Sequence, residues 1–270
     1  MLRAGITRAQ LLRKFNEQDK PSCTISSCFG FTINASRNSP VRDARLDLPQ
    51  MPRLTQSVTL ELIRAIHVER AAEIRARLAE FAAVWSSNSD ERLWEELVFC
   101  IFTAGASARM GMRSIERIKS LLQCGTHDEL SEALRGVHRY PRARSGYIVT
   151  TRDFLTQDCG MRLRERLDNF SDPLARRDWL ARERGVKGLG YKEASHFLRN
   201  IGLRGYAILD KHILRSLYEL EVIESPQPPT TRTRYLATEE KLRDFARSIE
   251  IDFDELDLVL WSTKTGEVLK

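Results

Sequence analysis

RGVKGLGYKEASHFLRNIGLRGYAILDKHILR, residues 184–215, carries the densest information in the chain. Gly185, Gly188 and Gly190 punctuate a hairpin that leads into a helix predicted from Tyr191 to about Asn200, with Gly202 as a stop signal just past its end. The apolar turn Tyr206 to Leu209 then brings Asp210 to the N-cap of a second helix, Lys211 to Glu219. Lys192 falls in the first turn of the first helix.

This placement has chemical consequences. Glycines ahead of a helix let main-chain N–H groups face outward, and the helix N-terminus adds partial positive charge. Gly188, Leu189 and Gly190 are therefore a candidate phosphate cradle, and hence a DNA-binding element. The same macrodipole disfavours an ammonium in the first turn, and the neutral amine is the nucleophilic form of a lysine. At an N-cap it favours a carboxylate, which can stabilise a cation or take a proton. Lys192 and Asp210 are the candidate catalytic pair.

The stretch resembles the helix-hairpin-helix DNA glycosylase superfamily, whose signature is a glycine hairpin, a lysine just after it, and an aspartate eighteen residues beyond the lysine. Lys192 and Asp210 stand at that spacing. KEASHFLRNIG followed by AILDKHIL resembles, more narrowly, the type-2 (archaeal-type) 8-oxoguanine DNA glycosylase/lyase branch. The resemblance covers about residues 56–270. It implies an all-α fold of two helical subdomains with the active site in the cleft between them. Residues 91–210 would be the central subdomain, ending in the helix-hairpin-helix. Residues 56–90 and 211–270 would form the terminal subdomain, and residues 1–55 an extension outside the resemblance.

The activity implied is that of a bifunctional DNA glycosylase/AP lyase of base excision repair. Lys192 would attack the sugar C1′, leaving a Schiff base, and β-elimination would cut the strand 3′ to the lesion. Asp210 would be the electrostatic partner and proton acceptor. The partner implied is double-stranded DNA containing 8-oxoguanine, with the lesion base out of the stack. In the type-2 branch the chain ends in lysine, nine residues after a tryptophan, and Trp261 and Lys270 reproduce that spacing. Lys270 is thereby implied in reading the N7/C8 edge that distinguishes 8-oxoguanine from guanine. Trp261, Phe99 and Phe102 are candidate flat walls for the base. Many relatives carry Gln or Asn in the loop after the preceding buried helix. This chain has Ala104-Gly105-Ala106-Ser107 there, so no side-chain amide contact carries over. Two other readings compete. A glycosylase for another damaged base would keep Lys192 and Asp210 without needing Lys270. A catalytically silent helix-hairpin-helix DNA-binding module would keep the glycines but not need both catalytic residues.

Composition agrees with a globular DNA-acting chain. Hydrophobic residues make up 42% and charged residues 30%, and the net charge of +6 permits nucleic acid as a partner. Positive charge comes as 34 arginines and only nine lysines, so each lysine carries weight, because only lysine forms an imine. No apolar run reaches the length of a membrane span, so no membrane partner is expected, and a monomer is. Cys23, Cys28, Cys100, Cys124 and Cys159 are odd in number and widely spaced, which fits reduced thiols and a cytoplasmic, nucleoid-associated location. The absence of cysteine after Cys159 excludes the four-cysteine iron–sulfur cluster of the endonuclease III-like branch. The histidines show no paired-ligand spacing, so neither a side-chain metal site nor a cofactor is expected. The superfamily does allow a monovalent cation on the hairpin carbonyls. Residues 1–55, rich in Arg and Ser and poor in acidic residues, read as a poorly ordered extension, a composition shared with organellar transit peptides.

Periodicity and capping signals predict the remaining helices. They run over Gln56–Trp85 (long or broken), Glu91–Thr103 (apolar all round), Ser107–Leu122, Asp128–Leu134 and Pro141–Leu155. Further helices run from Pro173 through Trp179, from about Thr238 to Ile249, and from Phe253 to Ser262. The cluster His138, Arg139, Arg142 and Arg144 suits either phosphate contact or a solvated basic face.

Overall fold

A computed structural model describes residues 57–268. The extension expected over residues 1–55, and Lys270, lie outside the described residues. Among the described residues there are twelve α-helices and no strand. They are α1 (Leu60–Glu69), α2 (Ala71–Ser86), α3 (Asp90–Thr103), α4 (Ala108–Ile118), α5 (His127–Ala133) and α6 (Pro141–Cys159). Then follow α7 (Leu163–Asp168), α8 (Pro173–Arg182), α9 (Tyr191–Asn200), α10 (Lys211–Glu219), α11 (Arg232–Ser248) and α12 (Phe253–Thr265).

Most helices start where a short polar side chain can take an otherwise unpaired N–H. Thr59, Ser89, Ser107, Thr126, Asp172, Asp210, Thr231 and Asp252 all do so. Thr126 and Glu129 close the reciprocal capping box read from the sequence.

The apolar faces meet in two cores. The first gathers α3, with Trp94, Phe99 and Phe102 fully buried, against α4 to α9, and ends at Tyr206. The second begins at Ala207 and gathers α10, α11 and α12 with Val58 and the inward face of α1. The helix α2 serves both: Ile74 and Leu78 lie in the second core, Val84 and Trp85 against the first. Gly202 fixes the approach of α2 to the end of α9. It has φ +89°, and a Cβ there would lie 2.7 Å from the Ala82 Cα, so any larger residue would push the helices apart. The passage between the cores, Tyr206 to Asp210, is the apolar turn of the central stretch.

The structure corrects several predicted extents. The first stretch, read as long or broken, is broken: the break falls at Arg70, whose φ −103° and ψ 10° leave the helical region. The stretch Ser107–Leu122 is α4 plus one 3₁₀ turn, Lys119–Leu121. The helix α6 runs on to Cys159 before Gly160 ends it, and α8 and α12 are each about one turn longer than predicted. The helix α11 begins at Arg232, two turns before the predicted start near Thr238, because Thr231 caps it. The helix α7 was not predicted.

Candidate active site

The hairpin before α9 is built for close approach. Gly188 has φ +81°, and a Cβ there would come 2.7 Å from the Tyr147 ring. Leu189 turns its side chain into the first core, anchoring the loop, while Gly190 is exposed at its tip. One hairpin amide is held from outside: Lys187 N–H donates to Thr151 Oγ1 at 2.9 Å. Gly190 N–H donates to Glu193 Oε2 at 3.2 Å, so the carboxylate at the third helical position closes the N-terminus of α9. The other oxygen, Glu193 Oε1, lies 2.9 Å from Lys192 Nζ.

Lys192 is one of the few residues of α9 that reach solvent. Its side chain is 29% exposed, whereas Ala194 through Asn200 are buried. Lys192, Ser195 and Arg199 stand at i, i+3 and i+7, one face of the helix, and Ser195 and Arg199 show where that face looks. The Arg199 guanidinium lies 3.4 Å from Asp257 Oδ2, and Ser195 Oγ lies 3.3 Å from the Tyr235 hydroxyl. The face carrying Lys192 is thus turned to the second core.

Asp210 is the N-cap of α10, as its position requires. Its Oδ1 accepts from the N–H groups of His212 (2.8 Å) and Ile213 (2.9 Å). Its Oδ2 accepts from the Trp261 indole N–H at 3.2 Å. Three donors therefore fix one half-buried carboxylate.

The segment leading to Asp210 is irregular yet fully tied down. Three consecutive amides donate to three side chains: Ala207 N–H to Glu239 Oε2 (3.1 Å), Ile208 N–H to Asp257 Oδ1 (3.3 Å), and Leu209 N–H to the Tyr235 oxygen (3.3 Å). Glu239 is paired with the fully buried Arg177 at 2.5 Å and 3.1 Å, and Arg177 also donates to Ser195 Oγ at 3.2 Å. Burial pushes the Asp257 carboxyl up to about 6, with Arg199 and the Ile208 amide pulling against it.

The 8-oxoguanine DNA glycosylase family model matches residues 74–251, two thirds of the chain, including the hairpin, Lys192 and Asp210. The chain belongs to this family. A relative from Korarchaeum cryptofilum, an 8-oxoguanine DNA glycosylase/AP lyase, is 41% identical over 198 residues, 73% of this chain and 90% of the relative. The corresponding protein of Methanocaldococcus jannaschii is 37% identical over 77% of this chain and 99% of its own length. The fold agrees with the family too. The crystal structure of the M. jannaschii 8-oxoguanine glycosylase/lyase in complex with a 15mer DNA containing 8-oxoguanine superposes with a TM-score of 0.71 at 36% identity, over 78% of this chain and 99% of that one. The Thermotoga maritima 8-oxoguanine DNA glycosylase superposes with a TM-score of 0.70 at 37% identity, over 78% of this chain and 98% of that one.

Within this glycosylase framework some expected site residues change role. Phe99 and Phe102 are not pocket walls. Both are at most 1% exposed in the first core, where Phe99 meets the His196 ring edge-on at 5.6 Å and Phe102 meets His138 at 5.3 Å. Trp261 is half-buried, and its indole N–H is committed to Asp210. The basic cluster divides: Arg139 and Arg142 are exposed, His138 and Arg144 are inside. Burial holds the His138 imidazole below its ordinary range. It therefore works as a neutral ring, Nε2–H donating to Phe102 O at 3.1 Å and Nδ1 accepting from Tyr140 N–H at 3.0 Å. Arg144 donates to Ala104 O and lies 5.5 Å from the centre of the Tyr147 ring. Arg144 thus holds the first residue of the Ala104–Ser107 loop by its backbone, and His138 holds the end of α3 from which the loop leaves. Sequence reading missed Ser195, Tyr235, Glu239, Asp257 and Arg177 altogether.

Proposed function

We propose that the chain is a bifunctional DNA glycosylase/AP lyase that excises 8-oxoguanine from double-stranded DNA with Lys192 as its nucleophile. The observation that carries this is a solvent-reaching lysine in the first turn of α9, on the face turned to the second core, together with a carboxylate at the N-cap of α10 that three donors hold in place. Lys192 Nζ, once it has lost its proton, attacks C1′. The C1′–N9 bond breaks and the base leaves with its electron pair, to be protonated. The sugar ring opens to the imine of Lys192, which acts as the electron sink. Removal of a C2′ proton then expels the 3′ phosphate, and hydrolysis of the imine releases the lysine. Asp210 stabilises the positive charge that develops on the sugar and takes up a proton in the ring-opening sequence. Gly188, Leu189 and Gly190 are proposed to hold the backbone phosphate through main-chain N–H groups, the Gly190 N–H exchanging Glu193 Oε2 for the phosphate, and a monovalent cation on the hairpin carbonyls would complete that grip. No organic cofactor is needed, because the lysine supplies the imine itself, and a monomer suffices.

Lys270 and Trp261 are the proposed readers of the base. Val268, two residues before the terminal lysine, is 2% exposed in the second core, which supports a tail docked beside α12. Acting on DNA, the enzyme is proposed to be cytoplasmic and nucleoid-associated, and no helix among the described residues is long and apolar enough to cross a membrane.

The test is borohydride trapping on duplexes carrying a single 8-oxoguanine. Lys192→Gln should give no covalent complex and still bind the lesion duplex. Trapping at the wild-type level in that variant would move the nucleophile elsewhere.

A further inference from the structure

Two local motifs carry the proposed chemistry, and something has to set their mutual position. Lys192 rides on α9 and Asp210 on the loop before α10, and no main-chain hydrogen bond between the two segments is found among those described. The Tyr235 hydroxyl joins them. Its oxygen lies 2.7 Å from Ala207 O, 3.3 Å from Leu209 N and 3.3 Å from Ser195 Oγ. A phenol has one hydrogen and two lone pairs. The shortest contact takes the hydrogen, donating to Ala207 O, and the lone pairs face the Leu209 N–H and the Ser195 hydroxyl. Ser195 is one helical turn from Lys192 on the same face, and Leu209 is bonded directly to Asp210. Glu239 reinforces the joint by holding Ala207 N–H, while its partner Arg177 holds Ser195 Oγ.

We propose that Tyr235 is a positioning residue for the reaction, fixing the register between Lys192 and Asp210 through the Ser195–Tyr235–Leu209 joint. The proposal rests on the reading of Lys192 and Asp210 as the reacting pair. Tyr235 is buried on α11 with its ring 5.7 Å from that of Tyr191, so it contacts neither DNA nor the reacting atoms. Its influence runs only through the two segments it holds. Because a nucleophile displaced by about 1 Å can cost about a hundredfold in rate, loosening the joint should slow chemistry without weakening DNA binding.

The variant is Tyr235→Phe, which keeps the ring and removes only the hydroxyl. Leu130→Ala, in the first core and outside every contact of the site, serves as the control for lost stability. All rates are measured at a temperature where circular dichroism shows each variant fully folded. Single-turnover excision of 8-oxoguanine by Tyr235→Phe should fall about tenfold to a hundredfold, with Kd for the lesion duplex within about threefold of wild type. Leu130→Ala should match the wild-type rate. Ser195→Ala should show a similar defect, and the double variant should be no slower than the worse single one, because both cut the same joint. A Tyr235→Phe rate equal to that of Leu130→Ala, a loss entirely in Kd, or additive rate losses in the double variant would each overturn the proposal. Lys192→Gln run alongside keeps the two readings apart. If it still traps, the assignment of the nucleophile has failed. If it does not trap and Tyr235→Phe is as fast as wild type, only the positioning role has failed.

Discussion

Asp210→Asn looks at first like a clean removal of charge, since an asparagine caps a helix as well as an aspartate. The structure predicts that it will not be clean. Oδ1 must stay where it is to accept from His212 and Ile213, so the new amide nitrogen takes the place of Oδ2, 3.2 Å from the Trp261 indole nitrogen. Two donors then face each other, and the half-buried indole N–H loses its acceptor. An unsatisfied donor of this kind costs about 1–3 kcal/mol. At about 2–4 °C per kcal/mol for a domain of this size, Tm should fall by roughly 2–12 °C. Loss of the carboxylate should separately slow single-turnover excision by about 10²–10⁴-fold. The two effects can be pulled apart in a double-mutant cycle with Trp261→Phe, which removes the opposing donor. In that background Asp210→Asn should cost visibly less Tm, while the excision rate stays depressed. Thermal denaturation and single-turnover cleavage on a lesion duplex read the two quantities. An Asp210→Asn rate within about threefold of wild type would reduce Asp210 to a helix cap. A Tm loss unchanged by Trp261→Phe would show that the indole does not bond the carboxylate.

Two further predictions concern the second core and its tail. Glu219 takes hydrogen bonds from Lys264 Nζ (2.6 Å), Arg215 Nε (2.8 Å) and Val58 N–H (2.9 Å), and although burial opposes the charge, these bonds hold the carboxyl down to about 2. A depressed pKa stabilises the fold above the ordinary carboxylate range and loses that contribution as pH falls through the folded value. Glu219→Gln should therefore cost about 1–3 kcal/mol in urea melts at pH 7, with the gap to wild type closing between about pH 4.5 and pH 2; a gap independent of pH would refute the ion-pair account. Deleting Lys270 should slow 8-oxoguanine excision by about a hundredfold while leaving turnover of a pre-formed abasic site nearly unchanged, and equal losses on both substrates would assign the tail to folding or DNA grip instead.

The helices were legible where local chemistry marks them. Thr126 with Glu129, Asp172 before Pro173, Asp210 and Asp252 each advertise a helix start within four residues, and each holds in the structure. Where no local signal exists, reading failed for a physical reason. A broken first helix was among the readings, but not the place of its break: Arg70 has neither glycine nor proline beside it, and the chain turns there because Ile66 and Ile74 pack into the same core on either side of it. The helix α7 spans six residues and buries only Leu163 and Leu167, too short for a periodic pattern. The first two turns of α11 carry no helical pattern in the sequence because Tyr235 is their only buried apolar residue.

The same distinction runs through the site. Lys192 and Asp210 could be singled out as candidates because a hairpin glycine pattern and an N-cap are contiguous in sequence. The residues that hold them could not, because a buried carboxylate carries no local mark. Glu239 and Glu240 are neighbours in the stretch Thr238-Glu239-Glu240-Lys241, which reads as a solvated helix face. The side chain of Glu240 is 58% exposed and pairs with surface arginines, while that of Glu239 is 6% exposed and pairs with Arg177, 62 residues away. An isolated buried carboxylate is costly, so this one persists only because a guanidinium and a main-chain amide both meet it. Those two partners are the helix in front of the hairpin and the turn before Asp210. The expense of burying Glu239 and Asp257 is thus incurred where an irregular turn needs acceptors for three successive amides. A turn with apolar neighbours in their place would leave those amides unpaired and Asp210 free to shift relative to Lys192.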